Sequence, residues 1–191
     1  PFDLSHGPLF RHTLIRLGED DYVLLLTLHH IVSDGWSMGV LYHELTVLYQ
    51  AFANAETSPL ADLPIQYADF AAWQRNWLQG EVLETHLAYW KRHLADAPPV
   101  LELPTDRPRP AVASGRGALV ELGLDAELSA ELRGLARAHD ATLFMVLLAA
   151  FDLLLYRITG QTDLRVGVPS ANRTRVELEP LIGLFANTHV L

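Results

Sequence analysis

The residues with the most chemical potential fall in one short run, Thr27-Leu28-His29-His30-Ile31-Val32-Ser33-Asp34-Gly35-Trp36-Ser37. An imidazole changes charge near neutral pH, so a histidine here could take a proton from an attacking amine or alcohol. An α-ammonium group has a pKa of about 7.7–8.0, which makes its deprotonation near neutrality a modest step. Such general-base help is worth roughly 10²–10⁴ in rate, and positioning must supply the rest. Asp34 could orient the imidazole or pair with an arginine to hold the loop. Gly35 would let a backbone N–H approach a developing oxyanion. The run sits where a strand should end and a helix begin, a place where side chains and backbone donors converge on ligands. Neighbours in a strand point to opposite faces, so one histidine can face a substrate while the other packs. The residue types leave open which does which.

That geometry argues against a metal, because ligands on opposite faces cannot share an ion without a bend. No H-x-x-x-H or H-E-x-x-H pair occurs, and the absence of cysteine excludes thiolate-bound metals, a thiol nucleophile and disulfides. Gly35-Trp36-Ser37-Met38-Gly39 fits the G-x-S-x-G pattern of a nucleophile elbow. An elbow serine sits on a sharp turn directly after a strand. Here the strand is expected to end near His30, which puts Ser37 inside the first helical turn, and this half lacks the repeated βα units of an α/β-hydrolase.

The elements that must position these residues can be read from periodicity. Leu9–Leu17 and Tyr22–His30 read as strands joined by the polar turn Gly18–Asp21, a hairpin. After Ser33-Asp34-Gly35, which is turn and N-cap chemistry, Met38, Leu41, Leu45, Leu48 and Phe52 line one face of a helix. Two aromatic-bearing helices are expected from Gln66 to about Gln79 and from Glu81 to about Leu94. Five prolines between Pro98 and Pro110 mark an ordered, extended linker between two lobes. Beyond it come a strand at Ala118–Leu124, a helix from about Asp125 to His139, and a buried core helix from Thr142 to about Thr159. A strand through Leu164, Val166 and Val168, a loop at Pro169–Glu179 and a strand at Ile182–Leu191 complete the chain.

Half of the 191 residues are hydrophobic and 19% are charged, enough apolar material for a core. The length allows one large domain or two small ones. A net charge of −9 argues against sequence-independent nucleic-acid binding, which needs clustered cations. The longest apolar run, Leu143 to Phe151, stops at Asp152 and is too short to span a membrane. No basic-then-apolar leader opens the sequence, so no signal peptide is expected. The lack of cysteine fits a reducing compartment, and a cytoplasmic setting is expected. Pro1 at the start and an uncapped strand at the end are read as the edges of an excised piece of a longer chain.

Three ordered motifs carry a resemblance. His29-His30-Ile31-Val32-Ser33-Asp34-Gly35 resembles the HHxxxDG signature of nonribosomal peptide synthetase condensation domains. Tyr67-Ala68-Asp69-Phe70-Ala71-Ala72-Trp73 resembles the family's Y-x-D-[FY]-A-x-W motif. Ile182-Gly183-Leu184-Phe185-Ala186-Asn187-Thr188 resembles I-G-x-F-V-N-T, with Ala186 in place of Val. The Leu103–Pro110 linker and Ala171-Asn172-Arg173 also match the family's habits.

The resemblance implies an α/β (α+β sandwich) fold, a pseudo-dimer of two chloramphenicol-acetyltransferase-like lobes, both truncated here. It divides the chain into residues 1–97 of the first lobe, a linker at 98–116 and residues 117–191 of the second lobe. It implies peptide-bond formation between a donor thioester and an acceptor aminoacyl thioester, each on a carrier protein's phosphopantetheine arm. Donor and acceptor carrier domains and an adjoining adenylation domain are then the partners, with no cofactor bound covalently in this chain. His30 would be the channel-facing imidazole, Asp34 a salt-bridged aspartate and Gly35 the point of thioester approach. His29, Trp36 and Ser37 would support the motif, and Asn187 would reach the channel or make a structural hydrogen bond. The arginine that pairs with Asp34 is expected upstream of Pro1, so the bridge is expected to be missing and these residues alone to be inactive. Coenzyme A-dependent acyl transfer and a non-catalytic docking module are the alternatives. Such modules often lose the active histidine, which is intact here. Trp73, Trp77, Tyr89 and Trp90 are expected to pack between helices, Tyr67 and Asp69 to tie down a helix start, and Arg107, Arg109 and Arg116 to solvate the linker.

Overall fold

The computed structural model describes residues 1–96 and 100–191, so Pro98 and Pro99, where the linker begins, lie outside the described residues. The chain forms two compact units, Pro1–Arg92 with Gly167–Leu191, and His93–Val166. The last stretch therefore belongs with the first unit, although it follows the second in sequence.

In the first unit, β1 (Phe10–Arg16) and β2 (Tyr22–Leu28) pair antiparallel, with Leu14 opposite Leu24. The β2 strand stops at Leu28, two residues short of the expected end, and His30–Val32 form a 3-10 turn. Helix α1 (Gly35–Ala53) starts at Asp34, whose backbone is extended and whose carboxylate accepts from Ser37 N at 2.8 Å. Both features are those of an N-cap. Helices α2 (Tyr67–Trp77) and α3 (Gly80–His93) follow. The Asp69 carboxylate turns back to accept from Gln66 N at 2.8 Å, so Asp69 does tie down the start of α2. Near the end of the chain, β3 (Gly167–Ser170) and β4 (Asn187–Val190) form a second antiparallel pair. Pro169 sits in β3, which is tolerable in a two-stranded ladder because each strand has a free edge.

The core of this unit is Phe70 of α2 with Leu178, Leu181 and Phe185, and Leu63, Ile65 and Tyr67 pack against it. Phe70 and Phe185 have ring centroids 4.7 Å apart, and Tyr67 meets Phe185 edge-on at 5.0 Å. Trp73 and Trp77 stack at 5.5 Å along α2.

In the second unit, α4 (Ala126–Ala138) is capped by Asp125, and α5 (Leu143–Thr159) by Thr142. The α5 helix ends at Gly160, whose φ of +71° is the left-handed stop that glycine allows. Gln161 then holds the chain after the linker's first prolines, accepting from Glu102 N at 2.8 Å and donating to Val100 O.

Three expectations need correction. Ala118–Leu124 is irregular and open, with Val120 90% exposed. The apolar alternation is that of a strand face, but a strand needs a neighbour for its backbone, and among the described residues none lies beside it. The α5 helix is not a buried core helix within its unit; only Leu155 is buried, and Phe144, Met145, Leu153 and Leu154 are about half exposed. The last strand covers Asn187–Val190 rather than Ile182–Leu191, because the backbone of 182–186 bonds to side chains instead of a ladder.

Gly183 and Gly39 give opposite predictions. A Cβ on Gly183 would overlap the Tyr67 ring, whereas one on Gly39 in α1 would meet nothing within 4 Å. Overpacking costs about 1–3 kcal/mol, while Gly to Ala in a helix interior gains about 0.5–1 kcal/mol. Urea unfolding should therefore show Gly183→Ala destabilised and Gly39→Ala slightly stabilised. Equal stability of the two variants would contradict the packing described.

Candidate active site

The two histidines separate as their places in the turn dictate. His29 is half-buried and its Nδ1 accepts from Ile31 N at 3.0 Å, while its ring meets Phe2 edge-on at 5.7 Å. That bond leaves Nε2 to carry the proton when the ring is neutral. His30 is exposed and lines an open cleft of about 430 Å³ with Leu26, Leu28, Ser33, Gly35 and Met38. A Cβ on Gly35 would meet nothing within 4 Å, so the first residue of α1 opens onto free space. The adjacent histidines face apart because β2 has already ended and a turn has begun, not because of strand alternation.

Beside this cleft lies a buried polar cluster. Asp34 Oδ1 accepts from Ser37 N at 2.8 Å, from Ser37 Oγ at 2.7 Å and from Arg173 Nη2 at 3.4 Å. Its Oδ2 accepts from Phe185 N at 3.0 Å and Ala186 N at 3.2 Å. The side chains of Asp34 and Arg173 are each 1% exposed. Ser37 Oγ also accepts from Arg173 Nη2 at 2.9 Å and Gly183 N at 3.0 Å, and it lies 2.8 Å from Gly183 O. Arg173 Nη1 donates to Leu178 O and, at 2.8 Å, to Leu181 O, and its guanidinium lies 4.1 Å from the Phe185 ring centroid. Trp36 Nε1 donates to Glu179 O at 2.9 Å, and Tyr67 OH donates to Leu184 O at 2.8 Å. The irregular segment 178–186 is thus held by side chains of α1, α2 and the loop after β3.

These placements correct one expectation and add residues. The arginine expected upstream of Pro1 is supplied from within the chain by Arg173, in the Ala171-Asn172-Arg173 stretch. Asn172 has a φ of +53°, a turn conformation asparagine tolerates, and it carries the chain round into Arg173. Sequence periodicity gave Arg173 no role because its partner lies 139 residues away. Ser37 sits in the first turn of α1 at 1% exposure, which removes it as a hydrolase nucleophile. Asn187 stands apart from the His30 cleft. It lines a second cleft with Trp77, His86, Asn172 and His189, and its Oδ1 accepts from Thr188 N.

Burial alone would raise the pKa of the Asp34 carboxyl. Hydrogen bonds from the Ser37 backbone and hydroxyl, and from Phe185 and Ala186, outweigh it and bring the value from 3.8 down to about 2. Asp34 is a fixed anion at neutral pH, an acceptor with nothing to donate.

The family model for the Condensation domain matches residues 1–191. A linear gramicidin synthase chain of Brevibacillus parabrevis is 57% identical over 98% of this chain, which spans 2% of that protein's length. The X-domain from teicoplanin biosynthesis superposes with a TM-score of 0.90 at 33% identity, over 100% of this chain and 43% of that one. The first condensation domain of the CDA synthetase gives 0.75 at 28%, over 100% of this chain and 42% of that one. The chain belongs to the condensation-domain family, and its mixed helix-and-strand fold is the family's. Among the described residues, no single helix is long and apolar enough to cross a membrane.

A depressed carboxyl pKa stabilises the fold above the unfolded value and is lost as pH falls through the folded one. Asp34 should thus contribute roughly 2 kcal/mol at pH 7 that disappears between about pH 4 and pH 2. Asp34→Ala, which strands Arg173, should cost about 3–5 kcal/mol in urea unfolding at pH 7. A cost under about 1 kcal/mol would show that the buried pair is not holding the segment.

Proposed function

We propose that this chain carries the catalytic cleft for peptide-bond formation between two carrier-bound thioesters. The acceptor amine attacks the donor carbonyl, a C–N bond forms, the C–S bond breaks, and the donor thiol leaves. His30 orients the amine, takes the proton it must lose and returns it to the departing sulfur so that the donor leaves as a thiol, with Gly35 leaving room for the thioester. The observation that carries the reading is the division of labour in HHxxxDG: His30 alone of the two imidazoles faces the open cleft, while His29 is bonded into its turn. Asp34, with five donors around it, holds the loop and takes no part in proton transfer. Similarity to a linear gramicidin synthase supports carrier-bound amino acids as the substrate class.

In this reading the phosphopantetheine arms come from donor and acceptor carrier domains, an adenylation domain adjoins, and the setting is cytoplasmic. The two-lobe division at the 98–116 linker belongs to the same reading, as does inactivity of these 191 residues alone. The exposed β1–β2 hairpin and α5 support that inactivity, since their apolar faces have no cover within their units. A second reading, a docking module, draws support from the likeness to an X-domain, which another solved structure records in complex with OxyB.

The test uses the full-length protein with both carrier domains loaded, followed by intact mass spectrometry of the acceptor. The acceptor should gain the donor acyl mass, and His30→Ala should slow that gain by about 10²–10⁴-fold with the fold retained. Transfer at the wild-type rate in His30→Ala would overturn the assignment. Carrier binding without any product from wild type would favour the docking module, and transfer from free acyl-coenzyme A would favour a coenzyme A-dependent acyltransferase.

A further inference from the structure

We infer that Ser37 is a positioning residue for His30, acting by pinning the 182–186 segment to the first turn of α1. The inference rests on the catalytic reading above for its consequence, but its physical basis is independent of it.

Ser37 is 1% exposed, yet its hydroxyl sits among its own N-cap Asp34 and groups from two distant parts of the chain, Arg173 and the N and O of Gly183. A hydroxyl has one proton to give and two lone pairs to fill. Arg173 Nη2 and Gly183 N, at 2.9 and 3.0 Å, fill the lone pairs. The proton goes to the Asp34 anion at 2.7 Å, the charge-assisted choice, with Gly183 O at 2.8 Å as its competitor. The hydroxyl is therefore fully used, and no hydrocarbon side chain reproduces any of these bonds. Asp34 and Arg173 each keep other partners when it is removed, but Gly183 N loses the acceptor it has here.

The route to His30 is short. Ser37 N and Oγ both hold Asp34 Oδ1. Asp34 follows Ser33, whose N–H donates to His30 O at 3.4 Å, and Val32 N donates to His29 O at 3.1 Å. The turn bearing His30 is three residues long; its first half is held by Ile31 N on His29 Nδ1 and His29 N on Leu9 O, its last bond, Ser33 N to His30 O, is long at 3.4 Å, and that end abuts the clamp. Its registry over the cleft follows the registry of α1 against 182–186. A displacement of about 1 Å in a reacting group can cost on the order of 10² in rate.

Two variants of the full-length protein test this. Ser37→Ala removes the hydroxyl, and Ser37→Cys fills its space with a weak donor and acceptor. Hydrogen exchange read by peptide mass spectrometry needs no activity. Peptides covering 29–34 and 181–187 should both exchange at least about tenfold faster in Ser37→Ala, with α3 unchanged and Ser37→Cys between. Loosening of 181–187 with 29–34 as in wild type would overturn the inference, leaving Ser37 a loop anchor only. In the carrier-loaded assay, kcat of Ser37→Ala should fall about 10–100-fold with the acceptor KM within about twofold. An unchanged kcat would also overturn it. A wild type that makes no product defeats the catalytic reading instead, and the exchange data still decide the positioning.

Discussion

The buried carboxylate of Asp34 is the interaction on which the rest of this structure depends. It lies at the start of α1 with a guanidinium, a hydroxyl and three backbone N–H groups around it. A buried anion is tolerable only when it is paired and hydrogen-bonded, and here both oxygens are used. In return the carboxylate satisfies Phe185 N and Ala186 N, which lie in a segment with no ladder or helix to absorb them. The same bonds set Phe185 against Phe70 and Tyr67, so the polar cluster and the aromatic core fix one another. Gly183 completes the fit, because only a residue without a Cβ lets the Tyr67 ring approach the chain there.

This arrangement separates the groups that hold from the group that, in the proposed reading, reacts. The aspartate and serine are dry and fully engaged, the arginine is held through both Nη atoms while its buried Nε has no partner, and His29 is bonded into its own turn. His30 projects from the end of that framework into an open cleft. Chemistry at a carbonyl needs a side chain that substrate can reach, on a mount that does not yield. In the proposed reading the HHxxxDG run supplies both within seven residues, by ending a strand, making one short turn and capping a helix.

Much of this is legible in the sequence, and the failures share a cause. The hairpin, α1, the aromatic helices and α4 follow from local periodicity and cap chemistry, and they fall close to where those signals put them. The motif residues His29, His30, Asp34 and Gly35 are visible as a cluster, but which histidine faces outward depends on where β2 ends, and no propensity sets that boundary to one residue. Ala118–Leu124 and α5 mislead because an apolar pattern reports that a surface needs cover without reporting that cover is present. Arg173 and the role of Ser37 are illegible for a different reason. Arg173 meets Asp34 and Ser37 across 139 and 136 residues, and the remaining partners of the Arg173 and Ser37 side chains beyond this trio are backbone atoms of 178–183, which leave no trace in the residue letters. The I-G-x-F run can be matched to a family motif, yet its physical meaning comes only from the side chains found bonded to it.

The central claim is that Asp34 is a permanently charged anchor and takes no part in proton transfer. The most direct measurement is a carbon-13 titration of its side-chain carboxyl, assigned by its loss in Asp34→Asn. The structure predicts a carboxylate signal that stays flat from pH 7 down to about pH 3, since the midpoint lies at about 2. A midpoint at or above the usual 3.8 would contradict it, because a carboxyl that titrates normally cannot be held by the bonds on which the segment and the cleft rest.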